Sequence, residues 1–259
     1  MNETRRPLIA GNWKMHHGGA SGVALAGELA ELVPSLPHVD IVIAPPYTAL
    51  AACAHECDGT RVEIAAQNLH AQHSGAFTGE ISGTMLIEAG CRWVIVGHSE
   101  RRQYSGETDA MVAEKVVAAL KARLIPIVCV GETLAEREGD RTLEVVERQV
   151  RAFIDIIDAS DVPVAIAYEP VWAIGTGKTA GPAEAQEVHA AIRTLLSRNT
   201  AALASRTRIL YGGSVKADNA KALFASADVD GALVGGASLD AASFGAIARA
   251  AEALVTRGR

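Results

Sequence analysis

The sequence predicts an α/β fold of the (β/α)8 barrel class, in which eight parallel strands stand inside a ring of helices. Apolar runs of strand length recur roughly every 30 residues, and amphipathic segments separate them. This alternation is typical of parallel strands joined by right-handed crossovers. An open, doubly wound sheet is the alternative, but eight units in about 250 residues, with no sign of a second domain, favour one closed barrel over residues 1–259. The apolar runs are Leu8–Ala10, Ile41–Ala44, Val62–Ala66, Trp93–Val96, Ile125–Val130, Val162–Ala167, Arg208–Tyr211 and Ala232–Val234.

The segments between the apolar runs have the spacing of helices. Between the fifth and sixth runs, one face is apolar and the opposite face carries Glu–Arg pairs four residues apart, which stabilise a helix. The same pattern predicts helices over 111–120 and over Asp240–Val255. The apolar positions are Leu143, Val146, Val150, Ile154 and Ile157, and the charged pairs are Glu144 with Arg148 and Glu147 with Arg151.

Composition and charge narrow the classes of function. The chain is 49% hydrophobic and 21% charged, which suffices for a large core. Its net charge of −6 argues against nucleic acid or an anionic membrane as a partner. The N-terminal residues lack the apolar stretch of a secretion signal, and no window reaches the ~20 apolar residues of a membrane span. We therefore expect a cytoplasmic protein.

The four cysteines predict buried thiols rather than a metal site. Cys91 and Cys129 lie in or beside apolar runs, and Cys53 and Cys57 are one helical turn apart with His55 between them. A zinc site would need further ligands at a recognisable spacing. Reduced thiols fit a reducing compartment, and we expect no bound metal.

A carboxylate stands at the end of the sixth run, ahead of a loop with the features of a lid. Pro170 follows Glu169, and the loop then carries Trp172 and a Gly-rich stretch before Pro182 opens a helix with Gly181 in the capping position. An acid at a strand end beneath an apolar-tipped loop suggests a base under a lid. The alternative is a surface acid before an ordinary strand-to-helix loop.

Polar residues follow most of the apolar runs, and a closed barrel would gather them around one mouth, where such barrels carry their active sites. Each residue alone has an ordinary structural role, such as a solvated lysine or a hydrogen-bonded histidine. Together they provide a base, an imidazole, a cation and Gly-rich turns whose backbone N–H groups bind anions. These residues are Asn12, Lys14, Gln67, Asn68, His98, Ser99, Glu100, Glu169, Gly212, Gly213, Ser214, Gly235 and Gly236.

Two short motifs near the lid resemble nucleotide-binding patterns without meeting their requirements. Residues 177–179 match the end of a Walker A loop, but that pattern needs a glycine where Trp172 stands. Residues 175–180 resemble a dinucleotide fingerprint, but they begin several residues after the strand, where the fingerprint needs an immediate tight turn. A nucleotide-binding enzyme is therefore disfavoured.

The motifs along the chain closely resemble those of the triosephosphate isomerase family. They occur in the family's order from one end of the chain to the other. The resemblance implies a TIM barrel that interconverts dihydroxyacetone phosphate and D-glyceraldehyde 3-phosphate through an enediol(ate), a reaction of glycolysis and gluconeogenesis that needs no metal or organic cofactor. The matching stretches are GNWKM at 11–15, QNLHAQHSGAFTGEIS at 67–82, GHSERR at 97–102, AYEPVWAIGTGKTA at 167–180, YGGSV at 211–215 and LVGGASL at 233–239.

The resemblance also implies roles for individual residues. Glu169 would be the base that moves the proton, and His98 would be the neutral electrophile that polarises the carbonyl. Lys14 would stabilise negative charge on the substrate, Asn12 would help to place it, and Glu100 would be a supporting acid near His98 and Lys14. The backbone N–H groups that would hold the phosphate belong to Gly175, Ser214, Gly235 and Gly236.

The stretch 67–82 resembles the family's interface loop, which inserts into a second subunit and implies a homodimer. By this resemblance Thr78 would lie near Asn12 of the partner subunit and Lys14 of the partner subunit. The alternative for residues 74–80 is a solvated Gly-rich loop.

Two positions depart from the family pattern. His16 follows GNWKM where the family usually has Asn, which affects the implied interface, near which Glu80 and Arg101 would pair. Gly181 stands where the family usually has a Ser or Thr cap, and we expect the weaker cap to loosen the far hinge of the lid by a few tenths of a kcal/mol.

Other activities remain compatible with parts of this pattern. An isomerase or racemase of a related four-carbon sugar phosphate would use the same proton chemistry, so the fold and motifs do not separate it from the triose enzyme. A catalytically inactive binding protein on this fold would be expected to lose Glu169, His98 or Lys14, and the chain has all three.

Overall fold

The computed structural model describes residues 5–173 and 180–257, and within these ranges eight parallel strands close into a barrel. Strands that are neighbours in the sequence pair in order, and the last strand pairs with the first, where Leu8 lies opposite Gly231. The (β/α)8 class predicted from the sequence is confirmed. The strands are β1 Leu8–Asn12, β2 Asp40–Ala44, β3 Val62–Ala66, β4 Trp93–Val96, β5 Ile125–Val130, β6 Ala165–Tyr168, β7 Arg208–Tyr211 and β8 Gly231–Val234.

Alternation along the strands divides the core into two layers. Leu8 and Ala10 pack inside the barrel with Val42 of the neighbouring strand, because every second side chain of a strand points inwards. Ile9, which lies between them, packs outwards into the layer shared with the helices. Both faces of the sheet are thus buried, which explains why the strands are continuous apolar runs rather than alternating ones.

Helices surround the barrel and return the chain to the start of each following strand. Within the described ranges, none of them combines the length and the apolar character of a bilayer-spanning segment. The helices are α1 Ala20–Leu32, α2 Leu50–Glu56, α3 Gly83–Glu88, α4 Ser99–Ser105, α5 Asp109–Lys121, α6 Leu134–Glu138, α7 Thr142–Arg151, α8 Ile154–Asp158, α9 Pro182–Asn199, α10 Ala201–Arg206, α11 Ala217–Phe224 and α12 Ala241–Arg257.

The sixth strand begins later than the apolar run predicts. The expected run Val162–Ala167 contains Pro163, which has no N–H for the ladder, and pairing begins only at Ala165. Val162 is nevertheless buried. The prediction was therefore correct about burial and wrong about where the strand starts.

The apolar face predicted between β5 and β6 is shared by two helices. Phe153, whose φ of −131° is not helical, separates α7 from α8 and is itself buried. Val146 and Ile157 are buried as expected, whereas Leu143 is 43% exposed. The periodicity therefore identified the buried face but not the break, because a buried aromatic residue continues an apolar pattern.

One of the two charged pairs predicted on α7 forms within the helix. Arg151 lies 2.6 Å from Glu147, as expected for an i,i+4 pair. Arg148 instead contacts Asp109 at the start of α5, with Nε 3.0 Å from Oδ2. This second contact ties two helices together rather than strengthening one.

Helix α9 begins at Pro182 with Gly181 as its capping residue, as predicted, and the Glu184 carboxylate accepts the Gly181 N–H at 2.7 Å. His189 anchors this helix to the barrel. Its ring is fully buried, Nδ1 donates to the Asp228 carbonyl at 3.1 Å, and Nε2 has no hydrogen-bond partner among the described residues. Burial lowers the pKa of His189 to about 4, because the charged ring is disfavoured away from water.

We predict that His189 makes the fold sensitive to acid. The unfolded chain binds a proton at this ring more readily than the fold does, so the free energy of unfolding falls as pH drops from 6.5 towards about 4. Over the full interval the loss amounts to about 3 kcal/mol. In His189→Gln this part of the pH dependence should disappear. Urea unfolding at about pH 7 and about pH 4.5, at one protein concentration, measures it.

The exposed His55 provides the matched control. His55→Gln should keep the pH dependence of the wild-type protein, because its ring remains in water in both states. Equal losses of stability in His189→Gln and the wild type over this pH interval would contradict the prediction.

Candidate active site

The carboxyl ends of the strands surround one cavity of about 690 Å³. Gln67, Asn68 and Ser99, which the sequence also places at strand ends, are not among its lining residues. The loop tip predicted as a lid, residues 174–179, lies outside the described residues, and Gly175 lies there with it. The predicted site residues that line the cavity are Asn12, Lys14, His98, Glu100, Glu169, Gly212, Gly213, Ser214, Gly235 and Gly236.

Glu169 follows β6 directly and lies against the cavity with only 2% of its surface exposed. Its Oε2 accepts the backbone N–H of Ser99 at 2.9 Å, and its Oε1 lies 3.0 Å from His98 Nε2. Burial alone would raise the pKa of Glu169, but His98 and the Ser99 N–H hold it below its ordinary value. In this arrangement the buried acid is ionised and both its oxygens are engaged.

His98 precedes α4 as its capping residue, and its ring is held from two sides. Nδ1 accepts the N–H of Glu100 at 3.2 Å, which leaves the ring proton on Nε2, directed at Glu169. Burial alone would lower the pKa of His98, whereas the Glu169 carboxylate raises it above its ordinary value. When that carboxylate moves away, burial and the N–H at Nδ1 favour the neutral ring.

Lys14 occupies a left-handed backbone conformation, with a φ of +50°, that side-chain-bearing residues rarely adopt. Its N–H donates to Asn12 Oδ1 at 3.0 Å, and Gln67 Nε2 donates to its carbonyl at 2.8 Å. The ammonium Nζ lies 2.6 Å from Glu100 Oε1. Asn12 and Gln67 thus hold a strained turn that carries a cation to the rim of the cavity.

Turns after β7 and β8 form a Gly-rich wall of the cavity. Gly235 lies beside Lys14, since a Cβ on this glycine would be 3.5 Å from Lys14 Cε. Gly236 opens a short 3-10 turn, whose first N–H groups have no partner within the turn. Ser214 lies just before α11, and Asn219 Nδ2 donates to its carbonyl at 3.0 Å. This wall combines backbone N–H groups with a nearby cation, which suits an anionic group.

Glu132, the polar residue after β5, was missed by the sequence analysis. It is completely buried, and its Oε1 accepts Trp172 Nε1 at 2.8 Å and the Tyr168 hydroxyl at 3.2 Å. It therefore anchors the 3-10 turn Val171–Ala173, which leads into the predicted lid. A signal was present, because Glu132 follows an apolar run in the same way as Glu169 does.

The four cysteines are buried and free. Burial raises the pKa of Cys53 to about 11 and of Cys57 and Cys91 to about 12, so these thiols stay protonated at neutral pH. Within residues 5–173 and 180–257, no group of three or more His, Cys, Asp or Glu is placed to hold a metal ion.

The fold and the site together define the class of protein. A buried carboxylate beside an imidazole can move a proton on a carbon next to a carbonyl, and the Gly-rich wall of the same cavity can hold an anionic group. This is the equipment of a (β/α)8 enzyme for proton transfer on a small anionic substrate. The family model of triosephosphate isomerase matches residues 7–251, and the chain belongs to the triosephosphate isomerase family.

Relatives with this name cover nearly the whole chain. The triosephosphate isomerase of Moorella thermoacetica is 54% identical over 244 residues, which are 94% of this chain and 98% of the relative. That of Rhodopirellula baltica is 52% identical over 96% of this chain and 98% of its own length, and that of Trichlorobacter lovleyi is 53% identical over 95% and 98%. The family indicated by the sequence motifs is confirmed, and the chain is an aldose–ketose isomerase.

We predict that Gly212→Ala impairs catalysis by displacing Glu169. The added methyl group would lie 2.8 Å from Glu169 Cγ and 3.0 Å from the Tyr168 carbonyl oxygen, closer than packed atoms approach. A shift of the carboxylate by part of an ångström should lower kcat roughly 10- to 100-fold. Steady-state isomerase kinetics measure the effect, and urea unfolding shows whether the variant is folded.

Gly19→Ala is the control, because it adds the same methyl group at the start of α1 with no atom within 4 Å. Its kcat should stay within about twofold of wild type. A Gly212→Ala enzyme with wild-type kcat would contradict the prediction, because the backbone around Gly212 would then accommodate the methyl group without moving the carboxylate.

Proposed function

We propose that this chain interconverts dihydroxyacetone phosphate and D-glyceraldehyde 3-phosphate through an enediol(ate), with Glu169 as the base. The observation that carries the proposal is the 3.0 Å contact between Glu169 Oε1 and His98 Nε2 in the cavity that the Gly-rich wall also lines. A base for the carbon and a donor for the carbonyl oxygen are therefore within reach of one two-carbon unit. Family membership supports triose phosphate as the substrate.

The proton transfer uses groups that are already in place. A carbon next to a carbonyl is too weak an acid for a carboxylate in water, so the developing oxyanion must meet prepositioned donors. His98 supplies its Nε2–H to that oxygen, and Lys14 adds a positive charge at the rim. Once the carbonyl oxygen accepts the His98 Nε2–H hydrogen bond in place of Glu169, Glu169 loses a donor and becomes a stronger base.

The phosphate is held by the Gly-rich wall, formed by the turns after β7 and β8. The N–H groups of Ser214, Gly235 and Gly236 lie in turns beside the start of α11, where backbone donors favour an anion. Lys14 passes beside Gly235 and adds charge at the same place. We assign a further N–H to Gly175, by the family motif alone.

Asn12 and Glu100 support this machinery. Asn12 holds the strained backbone of Lys14 through its Oδ1, so it places the cation. Glu100 contacts Lys14 Nζ with its carboxylate and donates its N–H to His98 Nδ1, so it links the cation to the electrophile.

The chain is proposed to act as a homodimer through the loop 67–82. Phe77 in this loop is 45% exposed, Met15 beside Lys14 is 93% exposed, and Tyr104 on α4 is 77% exposed. Large apolar side chains left in water are a feature that burial in an interface would remove. Thr78 at the loop tip would then approach Asn12 of the partner subunit.

A cytoplasmic location is part of the same proposal. Four free, buried thiols fit a reducing compartment. The proposed reaction belongs to glycolysis and gluconeogenesis, and it draws only on side chains and backbone groups of this chain.

Glu169→Gln tests the assignment of the base. The amide keeps an oxygen for the Ser99 N–H but cannot take a proton, so kcat should fall by at least about 100-fold with little change in KM. The measurement is isomerisation of glyceraldehyde 3-phosphate, with a four-carbon ketose phosphate as competitor. Glu147→Gln, an exposed change on α7, should match the wild type.

The outcomes separate the alternatives. Fast turnover of the triose by the wild type, lost in Glu169→Gln, supports both the substrate and the base. Better use of the four-carbon sugar would replace the substrate, and a fully active Glu169→Gln enzyme would remove Glu169 from its role.

Thr78→Arg tests the homodimer. A long charged side chain at the tip of an inserted loop should block docking and shift the protein from dimer to monomer in sedimentation velocity at micromolar concentration. Ser205→Arg, on the exposed face of α10, is the control and should not change the sedimentation coefficient. A wild-type monomer, or a Thr78→Arg dimer of unchanged affinity, would contradict this proposal.

A further inference from the structure

Gln149 makes a two-point contact with the backbone beside the candidate base. It lies on α7 and is 5% exposed. Its Oε1 accepts the Gly131 N–H at 2.7 Å, and its Nε2 donates to the Gly131 carbonyl at 3.1 Å. The side-chain amide thus pairs with the N–H and the C=O of one residue, as the backbone of a neighbouring strand would. Because one contact needs an acceptor and the other a donor, the two together determine which atom of the amide is oxygen and which is nitrogen.

The sheet itself leaves room for this contact. The register pairs Val96, the last residue of β4, with Val128 of β5, so β4 ends before the level of Gly131. Backbone N–H and C=O groups that are buried without partners destabilise the fold. Gln149 therefore satisfies the groups of Gly131 that would otherwise face the missing end of β4.

Gly131 lies directly against the main chain of Glu169. A Cβ on Gly131 would overlap the carbonyl oxygen of Glu169 and lie 2.7 Å from its carbonyl carbon. On either side of this contact the two segments are hydrogen-bonded, with Glu169 N–H to the Val130 carbonyl at 2.7 Å and Val171 N–H to the Glu132 carbonyl at 3.1 Å. Because of these contacts, a shift of Gly131 also shifts the backbone of Glu169.

The same short segment also holds the start of the lid loop. Glu132 follows Gly131 and accepts hydrogen bonds from Trp172 and Tyr168. Gln149 thus fixes, through one residue, both the base and the turn that precedes the lid.

We infer that Gln149 is a positioning residue for the proton transfer, acting through Gly131 on the placement of Glu169. The inference rests on the proposed function. The Gly-rich wall is built by the turns after β7 and β8, and neither Gly131 nor Gln149 lines the cavity, so we expect loss of the Gln149–Gly131 contact to affect the chemical step and to leave ground-state binding in place.

Gln149→Leu removes both hydrogen bonds and keeps the volume. We expect kcat to fall roughly 10- to 100-fold, as for a misplacement of up to an ångström, while KM stays within about twofold. Val146→Ala is the control, because Val146 is buried on the same helix but borders the groove between α7 and α9. It should be less stable than wild type with an unchanged kcat. An unchanged kcat in folded Gln149→Leu would overturn the inference.

Gln149→Glu gives a pH-dependent change in kcat that a loss of stability alone would not produce. A protonated carboxyl has the same donor and acceptor as the amide, whereas an ionised carboxylate cannot donate to the Gly131 carbonyl. We expect the ratio of variant to wild-type kcat to rise as pH falls from about 8 to about 6, since burial favours the protonated acid. The ratio for Gln149→Leu should stay flat. This test remains available if Gln149→Leu does not fold, and a flat ratio in Gln149→Glu would also overturn the inference.

Amide hydrogen exchange tests the Gln149–Gly131 contact independently of the proposed function. Exchange at the Gly131 and Glu169 amides, followed by NMR, should be at least about tenfold faster in Gln149→Glu at about pH 8 than in wild type, because local opening becomes easier. Absence of isomerase activity in the wild type would reject the proposed function and not this contact. Unchanged exchange at these two amides would reject the role of the Gln149–Gly131 contact, whatever the isomerase activity of the variant.

Discussion

The burial of one ionised carboxylate is the constraint on which the rest of the site depends. Glu169 is 2% exposed, and a buried carboxylate without partners would destabilise the fold by several kcal/mol. The compensation comes from the Ser99 N–H and from His98, which lie at the start of α4, after β4. Because β5 stands between β4 and β6, the donors and the acid belong to strands that are two positions apart in the barrel. The curvature of the barrel turns both strand ends towards one cavity, where the donors meet the charge.

The backbone of Glu169 is held in place by close contacts with the neighbouring strand ends. Gly131 follows β5 and Gly212 follows β7, the two strands that flank β6, and any side chain on either glycine would meet Glu169 or its neighbour. The strand ends therefore approach at backbone distance, where small shifts are resisted by repulsion rather than absorbed by side-chain rotation. The position of these strand ends depends in turn on the groups packed behind them, which is the physical basis of the role we infer for the Gln149 amide.

The sequence predicted those features that depend on residues close together in the chain. It predicted less well those that depend on how strands and helices align in three dimensions. Apolar runs located all eight strands of the described ranges, and the polar residues after them contained Glu169, His98 and Lys14. The start of β6 and the break at Phe153 were missed, because buried non-strand and non-helical residues continue an apolar pattern. Glu132 was visible as a polar residue after a strand and was passed over. Gln149 offered no such signal: it is one polar residue on an amphipathic helix, and its role follows only from where β4 ends.

The arrangement of donors also determines how the base gains strength when it is needed. In the present geometry Glu169 is a weak base, since His98 and Ser99 stabilise its ionised form. Hydrogen bonds to a charged group stabilise the charge, so redirecting the His98 Nε2–H from Glu169 to a carbonyl oxygen raises the pKa of Glu169. The same change of partner removes the contact that raises the pKa of His98, so the ring stays neutral with its proton on Nε2. In the proposed reaction, activation of the base and polarisation of the carbonyl are therefore one event, because a single ring nitrogen serves both partners in turn.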